Sequence, residues 1–292
     1  MNENPKLDIA SQFQDFIGKS ISIEDEISLS AVRHMAAMLN LDPAVFYTGS
    51  EIPPHWYSMF FTLNAQQSQL GHDGHPKRGE FLPPIPLPRR MFVGRRVSFP
   101  GALRVGDHAS KKSEITSIKQ KEGSSGALVF VVVKHTIEVG DRPVIIEEQE
   151  IVYREAAIEK GEKQPAKSSP APEGNVWVNS ITMDPVLVFR YSALTWNSHR
   201  IHYDADYARQ QEGYPACVMN GALTVHLLVE EALKQNPEKK LIGLGAKLIK
   251  PLFVGGELFL KGAAYNAGNV NAWATDETGA LAAMVELHFR EK

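Results

Sequence analysis

The densest group of chemically capable side chains is the run Asn197-Ser198-His199-Arg200-Ile201-His202-Tyr203-Asp204. Imidazoles can carry protons near neutral pH or ligate a transition metal. Taken as metal ligands, His199, His202 and Asp204 would match the His-x-Asp part of a non-haem iron set. The distal histidine such a set needs is poorly supplied, because His288 lies close to the end of the sequence and His226 falls inside an apolar stretch. No metal is expected. Cys217, the only cysteine, reads as a small buried residue rather than a nucleophile. Gly243-Leu244-Gly245 is too short for a dinucleotide fingerprint and leads into a strand.

These residues must be held by elements, and the sequence supplies two similar sets. Residues 159–174 are rich in Pro, Lys and Ser without apolar periodicity, which reads as a linker between residues 1–158 and 175–292. Across it, Arg96 to Asp107 lines up with Gly245 to Gly256 through a shared alternating strand followed by Leu-x-Val-Gly. Leu103 falls on Leu252, an offset of 149 residues in a chain of 292. Strands are predicted at Lys111 to Lys119, Leu128 to Val139 and Val144 to Arg154, and again at Leu258 to Asn266, Asn269 to Asp276 and Leu281 to Arg290. Short turns such as Gly140-Asp141-Arg142-Pro143 make the connections hairpins and the sheets antiparallel. Helical stretches precede each block: Ser28 to Leu41 and His55 to Leu63, then Asp204 to Gln211 and Gly221 to Gln235. The last is apolar nearly all round and should be buried. The expected fold is α+β, with two antiparallel sheets each wrapped around a central helix.

The segment Phe189 to Asp204, followed by Gly213-Tyr214-Pro215 and Val218-Met219-Asn220-Gly221-Ala222-Leu223-Thr224, resembles the hydratase motif of MaoC-like (R)-specific enoyl-thioester hydratases. With the stretch Arg78 to Met91, it is most similar to their double hot-dog branch, which holds mitochondrial-type 3-hydroxyacyl-thioester dehydratases and mesaconyl-CoA and itaconyl-CoA hydratases. The resemblance implies hydration of a 2-enoyl thioester, or the reverse, on an acyl-CoA or acyl carrier protein substrate that could be short or carboxylated. No cofactor is implied beyond the coenzyme A of the substrate. It places the catalytic pair, an acid five residues before a histidine, on Asn197 and His202, and the oxyanion donor on the backbone N–H of Gly221. An amide cannot exchange a proton at neutral pH, so His202 must carry both transfers or share them with His199 or another group. Arg89, Arg90, Arg200 and His199 are candidates for holding substrate. Laying Arg33-x-x-Ala36-x-x-x-Asn40 on Arg190-x-x-Ala193-x-x-x-Asn197 puts Val45 where His202 stands, which implies a non-reacting N-terminal half that shapes the acyl pocket.

Two other functions remain open at this level. A hot-dog thioesterase would use a carboxylate of the central helix, and Glu230 and Glu231 lie far along it; a non-catalytic acyl-binding protein would account for Asn at position 197. Composition narrows the partners. A formal net charge of −3 gives no basic excess for nucleic acid, and no apolar run approaches the ~20 residues of a bilayer span. A single cysteine and an unremarkable leader point to the cytoplasm, or the mitochondrial matrix in a eukaryote. A homodimer is open.

Overall fold

A computed structural model describes residues 8–77, 81–123, 126–155 and 170–292. Most of the expected linker, and Arg78 to Glu80, lie outside the described residues. Among the described residues five strands form in each half: β1 (Ser20–Glu26), β2 (Arg89–Ser98), β3 (His108–Gly123), β4 (Gly126–Val139) and β5 (Arg142–Arg154), then β6 (Trp177–Thr182), β7 (Lys239–Leu248), β8 (Glu257–Gly262), β9 (Asn269–Asp276) and β10 (Leu281–Glu291). The pattern behind them is alternation. In β4, Val129, Val131 and Val133 turn to one side while Phe130, Val132 and Lys134 turn to the other.

The strands are ordered β1-β3-β4-β5-β2 and β6-β8-β9-β10-β7, the same order twice. The two half-sheets do not stay separate: β2 pairs antiparallel with β7, which makes one ten-stranded sheet. At that seam Arg96 lies opposite Gly245, and Gly94 and Ser98 lie opposite Lys247 and Gly243. Arg96 and Gly245 are equivalents in the sequence repeat, so a pseudo-twofold axis passes through this pair and the 149-residue offset is reproduced in three dimensions.

Among the described residues four α-helices accompany the sheet: α1 (Leu29–Met38), α2 (Pro185–Leu194), α3 (Ala205–Gln210) and α4 (Gly221–Gln235). Ser28 caps α1 by accepting from the Ala31 N–H, and Asp184 caps α2 by accepting from Val186, with Pro185 at the first position where its missing N–H costs nothing. Helix α4 lies in the curve of β7 to β10 and touches residues 54–59 on its other flank. Its Leu223, Leu228, Val229 and Ala232 are fully buried, each large side chain contributing about 1.5–3 kcal/mol.

The halves differ in one element. The helix expected over His55 to Leu63 is a 3-10 turn, Pro54–Met59, so only the second half is wrapped around a full central helix among the described residues. Pro53 and Pro54 lack N–H donors and Phe61 sits at φ 58°, a left-handed conformation that no helix continues through. The side chains there are buried all the same: His55, Trp56, Tyr57 and Met59 pack into the interior, in a turn that touches α4. Among the described residues, no helix is long and apolar enough to cross a membrane.

Candidate active site

Helix α2 ends three residues before Asn197, and the way it ends shapes the loop that follows. The Trp196 N–H donates to Ala193 and the Asn197 N–H to Ser192, with Trp196 at φ 52°. This double bond with a left-handed residue between is a Schellman closure, usually built on Gly. An aromatic residue held there stores strain beside the loop it launches. Asn197 Oδ1 accepts from the His199 N–H at 3.1 Å, and the chain then makes a 3-10 turn over Arg200–His202. Asp204 closes the loop: it caps α3 by accepting from the Tyr207 N–H at 2.9 Å and holds the Arg200 Nη2 at 2.7 Å. Arg200 also lies over the Tyr207 ring at 4.3 Å and donates to the His72 carbonyl.

His202 is half-buried, with Nδ1 2.7 Å from the Val218 carbonyl oxygen. A carbonyl only accepts, so Nδ1 carries the hydrogen and Nε2 keeps its lone pair. Burial first, and the charge of His75 after it, hold His202 down to about 4 despite the Val218 carbonyl. The ring is neutral and basic at Nε2 across the physiological range.

Three residues after Val218 the chain enters α4. Asn220 is buried, and its Nδ2 donates to Ser192 Oγ at 3.1 Å instead of capping the helix. It ties the end of α2 to the start of α4. Gly221 opens the helix where the macrodipole favours negative charge. A Cβ on Gly221 would stand 2.1 Å from Leu248 Cδ1, so glycine lets the backbone come close to β7. The partner of His202 and the Gly221 N–H therefore share one short segment, the arrangement that activation of water and stabilisation of an oxyanion require.

The N-terminal half reaches into this loop, which the sequence did not announce. The Arg200 N–H donates to the Asp73 carbonyl at 2.9 Å, and Ser198 Oγ to the Gly74 carbonyl at 2.6 Å. Gly74 sits at φ +87° with the space for a Cβ taken up by the Ser198 carbonyl, 2.0 Å away. His75 contributes its ring: its Nδ1 is 3.2 Å from Asp73 Oδ2, and its centroid is 4.1 Å from that of His199. His199 in turn stands edge-on to His202 at 5.6 Å. Burial, then the charges of His75 and His202, hold His199 down to about 3. Burial alone would raise Asp73, but hydrogen bonds from His75 keep it well below the carboxylate range. The one available signal was composition, the polar run Gly71-His72-Asp73-Gly74-His75.

The remaining candidates fall as follows. Arg89 and Arg90 open β2 opposite Arg154 and Tyr153, half-buried, with the charge of Arg90 felt by His199. Val45 ends a 3-10 turn, Pro43–Val45, as His202 ends its own. Cys217 is partly buried, and burial raises its thiol. Glu230 accepts from the Trp56 Nε1 at 2.6 Å and pairs with His55 Nε2 at 2.9 Å, and Glu231 binds Asn179 and Gln235. Both carboxylates are thus engaged in holding structure. Asp204 is bound to Arg200, so His199, His202 and Asp204 do not converge on a metal. Asp73, His75 and His199 do present ligand-type atoms within 4.8 Å of one another.

The sequence profile of the hydroxyacyl-thioester dehydratase type 2 family matches residues 55–254, which spans the Asp73 loop, the Asn197–His202 loop and α4. The chain belongs to this family. It is 40% identical over 244 residues to the mesaconyl-C(4)-CoA hydratase of Chloroflexus aurantiacus, covering 84% of this chain and 86% of that protein. The fold is similar to a MaoC-like dehydratase from Phytophthora capsici, with TM-score 0.68 at 15% identity over 94% of this chain and 96% of that one. It is also similar to a Mycobacterium tuberculosis protein described as a double hotdog fold, with TM-score 0.57 at 14% identity over 94% and 96%. The expected double hot-dog is confirmed, and as a member of this dehydratase family the chain is a hydro-lyase acting on a thioester. A non-catalytic acyl-binding role is not favoured.

Proposed function

We propose that the chain hydrates a short, carboxylated enoyl-CoA, of the kind its Chloroflexus relative is named for, with His202 as the base. In the addition, His202 Nε2 takes a proton from water as the water oxygen bonds to C3. The double-bond electrons move onto C2 and the thioester oxygen, which the Gly221 N–H holds. The imidazolium then returns a proton to C2. Asn197 orients the loop and the water without exchanging protons. Arg89 and Arg90 supply positive charge for the phosphates of the coenzyme arm.

The likeness to the mesaconyl-C(4)-CoA hydratase supports a carboxylated acyl group, and Arg95 is the buried cation offered to it. Arg95 lines a gap of about 10 Å³, room for one water, with Tyr57, Ala222, Val225 and His226, which an acyl group would have to open. Buried Arg95 pairs with Glu147, its Nη1 3.5 Å from Glu147 Oε1 and from the Tyr57 hydroxyl, and its Nε has no partner among the described residues. Tyr57 donates to Glu147 Oε2 at 2.6 Å. Glu147 answers the Arg95 charge in this state, so an acyl carboxylate would have to displace Glu147 to form paired hydrogen bonds with the guanidinium.

Loss of the conjugated enoyl band tests the reading on a panel of coenzyme A esters. Turnover of a carboxylated C4 or C5 ester above that of crotonyl-CoA is expected, abolished in His202→Ala. Arg95→Gln should lower kcat/KM for the carboxylated ester by roughly 10–100-fold and spare crotonyl-CoA. Preference of the unmodified protein for long hydrocarbon esters would reject it.

A further inference from the structure

Activating water passes His202 through an imidazolium, and the burial that holds this ring down to about 4 also makes that cation costly. Nothing in its own loop offsets the cost. Position 197 is an amide, with Oδ1 already accepting from the His199 N–H, and the carboxylate of Asp204 is bound to Arg200. The other half supplies an acid. Taking His202 as the base, we propose that Asp73 and His75 are positioning residues that complete the site from the N-terminal half. Asp73 takes the place of the carboxylate that Asn197 lacks, acting on His202 through the stacked rings of His75 and His199.

The geometry is built for this. Asp73 uses both oxygens on His75: Oδ1 accepts from the backbone N–H at 3.0 Å and Oδ2 faces ring Nδ1 at 3.2 Å. That fixes the ring hydrogen on Nδ1 and the plane of the ring, which tilts 42° over His199. The charge of His75 opposes an imidazolium at His202, and the Asp73 carboxylate, bonded to His75 and favouring charge on the neighbouring His199, answers it. The loop cannot drift from this position, since Gly74 is pressed on the Ser198 carbonyl and the Arg200 N–H is fastened to Asp73. The same three residues have the composition of a metal centre. Their arrangement is a hydrogen-bonded pair and a ring stack, with the His75 Nδ1 that faces Asp73 turned to that hydrogen bond.

Asp73→Asn removes the charge and leaves one acceptor oxygen for the two His75 donors. The expected result is a fall in kcat of about 100-fold with KM changed less than about threefold. Adding Asn197→Asp to that variant should recover at least about tenfold, because a carboxylate then stands in the His202 loop itself. A single variant with unchanged kcat, or a double variant no better than the single, would overturn the proposal and leave Asp73 a residue that holds a loop. Loss of the unmodified protein's activity in EDTA, restored by zinc, would overturn it in favour of a metal centre. His202→Ala in the same assay separates the two readings: if that variant stays active, the base is wrong, whatever Asp73 does.

Discussion

His202 Nδ1 donates to the Val218 carbonyl at 2.7 Å, and Val218 stands three residues before the first residue of α4. One backbone segment therefore fixes the tautomer of His202, the proposed base, and the place where α4 begins with Gly221, the proposed oxyanion donor. Neither can move without the other, which would keep the two in register through the proposed reaction.

Removal of the imidazole should cost what general acid–base catalysis contributes, about 10²–10⁴-fold in kcat. His202→Ala is expected to lose turnover by that factor while its far-ultraviolet circular dichroism stays unchanged, because the side chain lies in a loop outside the core.

Activity should extend to unusually low pH. A histidine in water titrates near ~6.5, but burial holds His202 down to about 4, so the acid limb of kcat/KM should fall near pH 4. A limb near the usual histidine value would show that the base is another group.

Stability should move the opposite way over the same range. His199 and His226 are held down to about 3 and His202 to about 4, mainly by burial, while the unfolded chain takes up these protons near ~6.5. The unfolded state then binds more protons, so stability is complete above about pH 6.5 and declines as pH falls toward 4. For the fully enclosed His226 the slope is at most about 1.4 kcal/mol per pH unit. Thermal melts from pH 7.5 to 5 should show a falling Tm, shallower in His226→Gln.

Gly74→Ala places a methyl group into the Ser198 carbonyl and a side chain at φ +87°. Backbone strain of about 1–3 kcal/mol is expected. Since the collision is with the loop carrying His199 and His202, kcat should fall by more than that loss of stability explains. Denaturant titration and steady-state kinetics of the same sample separate the two effects.

Glu230→Ala would leave the Trp56 Nε1 and His55 Nε2 without their acceptor in the interior between the halves. A loss of about 3–5 kcal/mol is expected, read as a lowered urea midpoint. Glu230→Gln keeps an acceptor and should lose less.

Much of this was legible from residue order. Alternation and turns placed β3 to β5 and β8 to β10, and the Leu-x-Val-Gly repeat made Arg96 and Gly245 equivalent, though their pairing across one continuous sheet was not foreseen. Asn197 and His202 were legible because they share one loop. Asp73 and His75 were not: more than 120 residues separate them from His199, and tertiary folding alone makes them neighbours. Arg95 was hidden for another reason. It stands beside Arg96 on a strand, and a register shift between Phe92 and Gly94 changes which of the two points inward. The helix expected over His55 to Leu63 does not form because the missing donors of Pro53 and Pro54 decide the backbone over the apolar aromatic composition.

The seam between β2 and β7 has a further meaning. Were the two halves separate and identical, whatever residue stood on the axis would face a copy of itself, and an arginine there would set two guanidinium groups side by side across neighbouring strands. Arg96 faces Gly245 instead, with its own charge answered by Glu148. Covalent joining has released this chain from having to be complementary to itself. Every position now mutates once rather than in duplicate, and one half was free to give up its central helix and lend two side chains to the other.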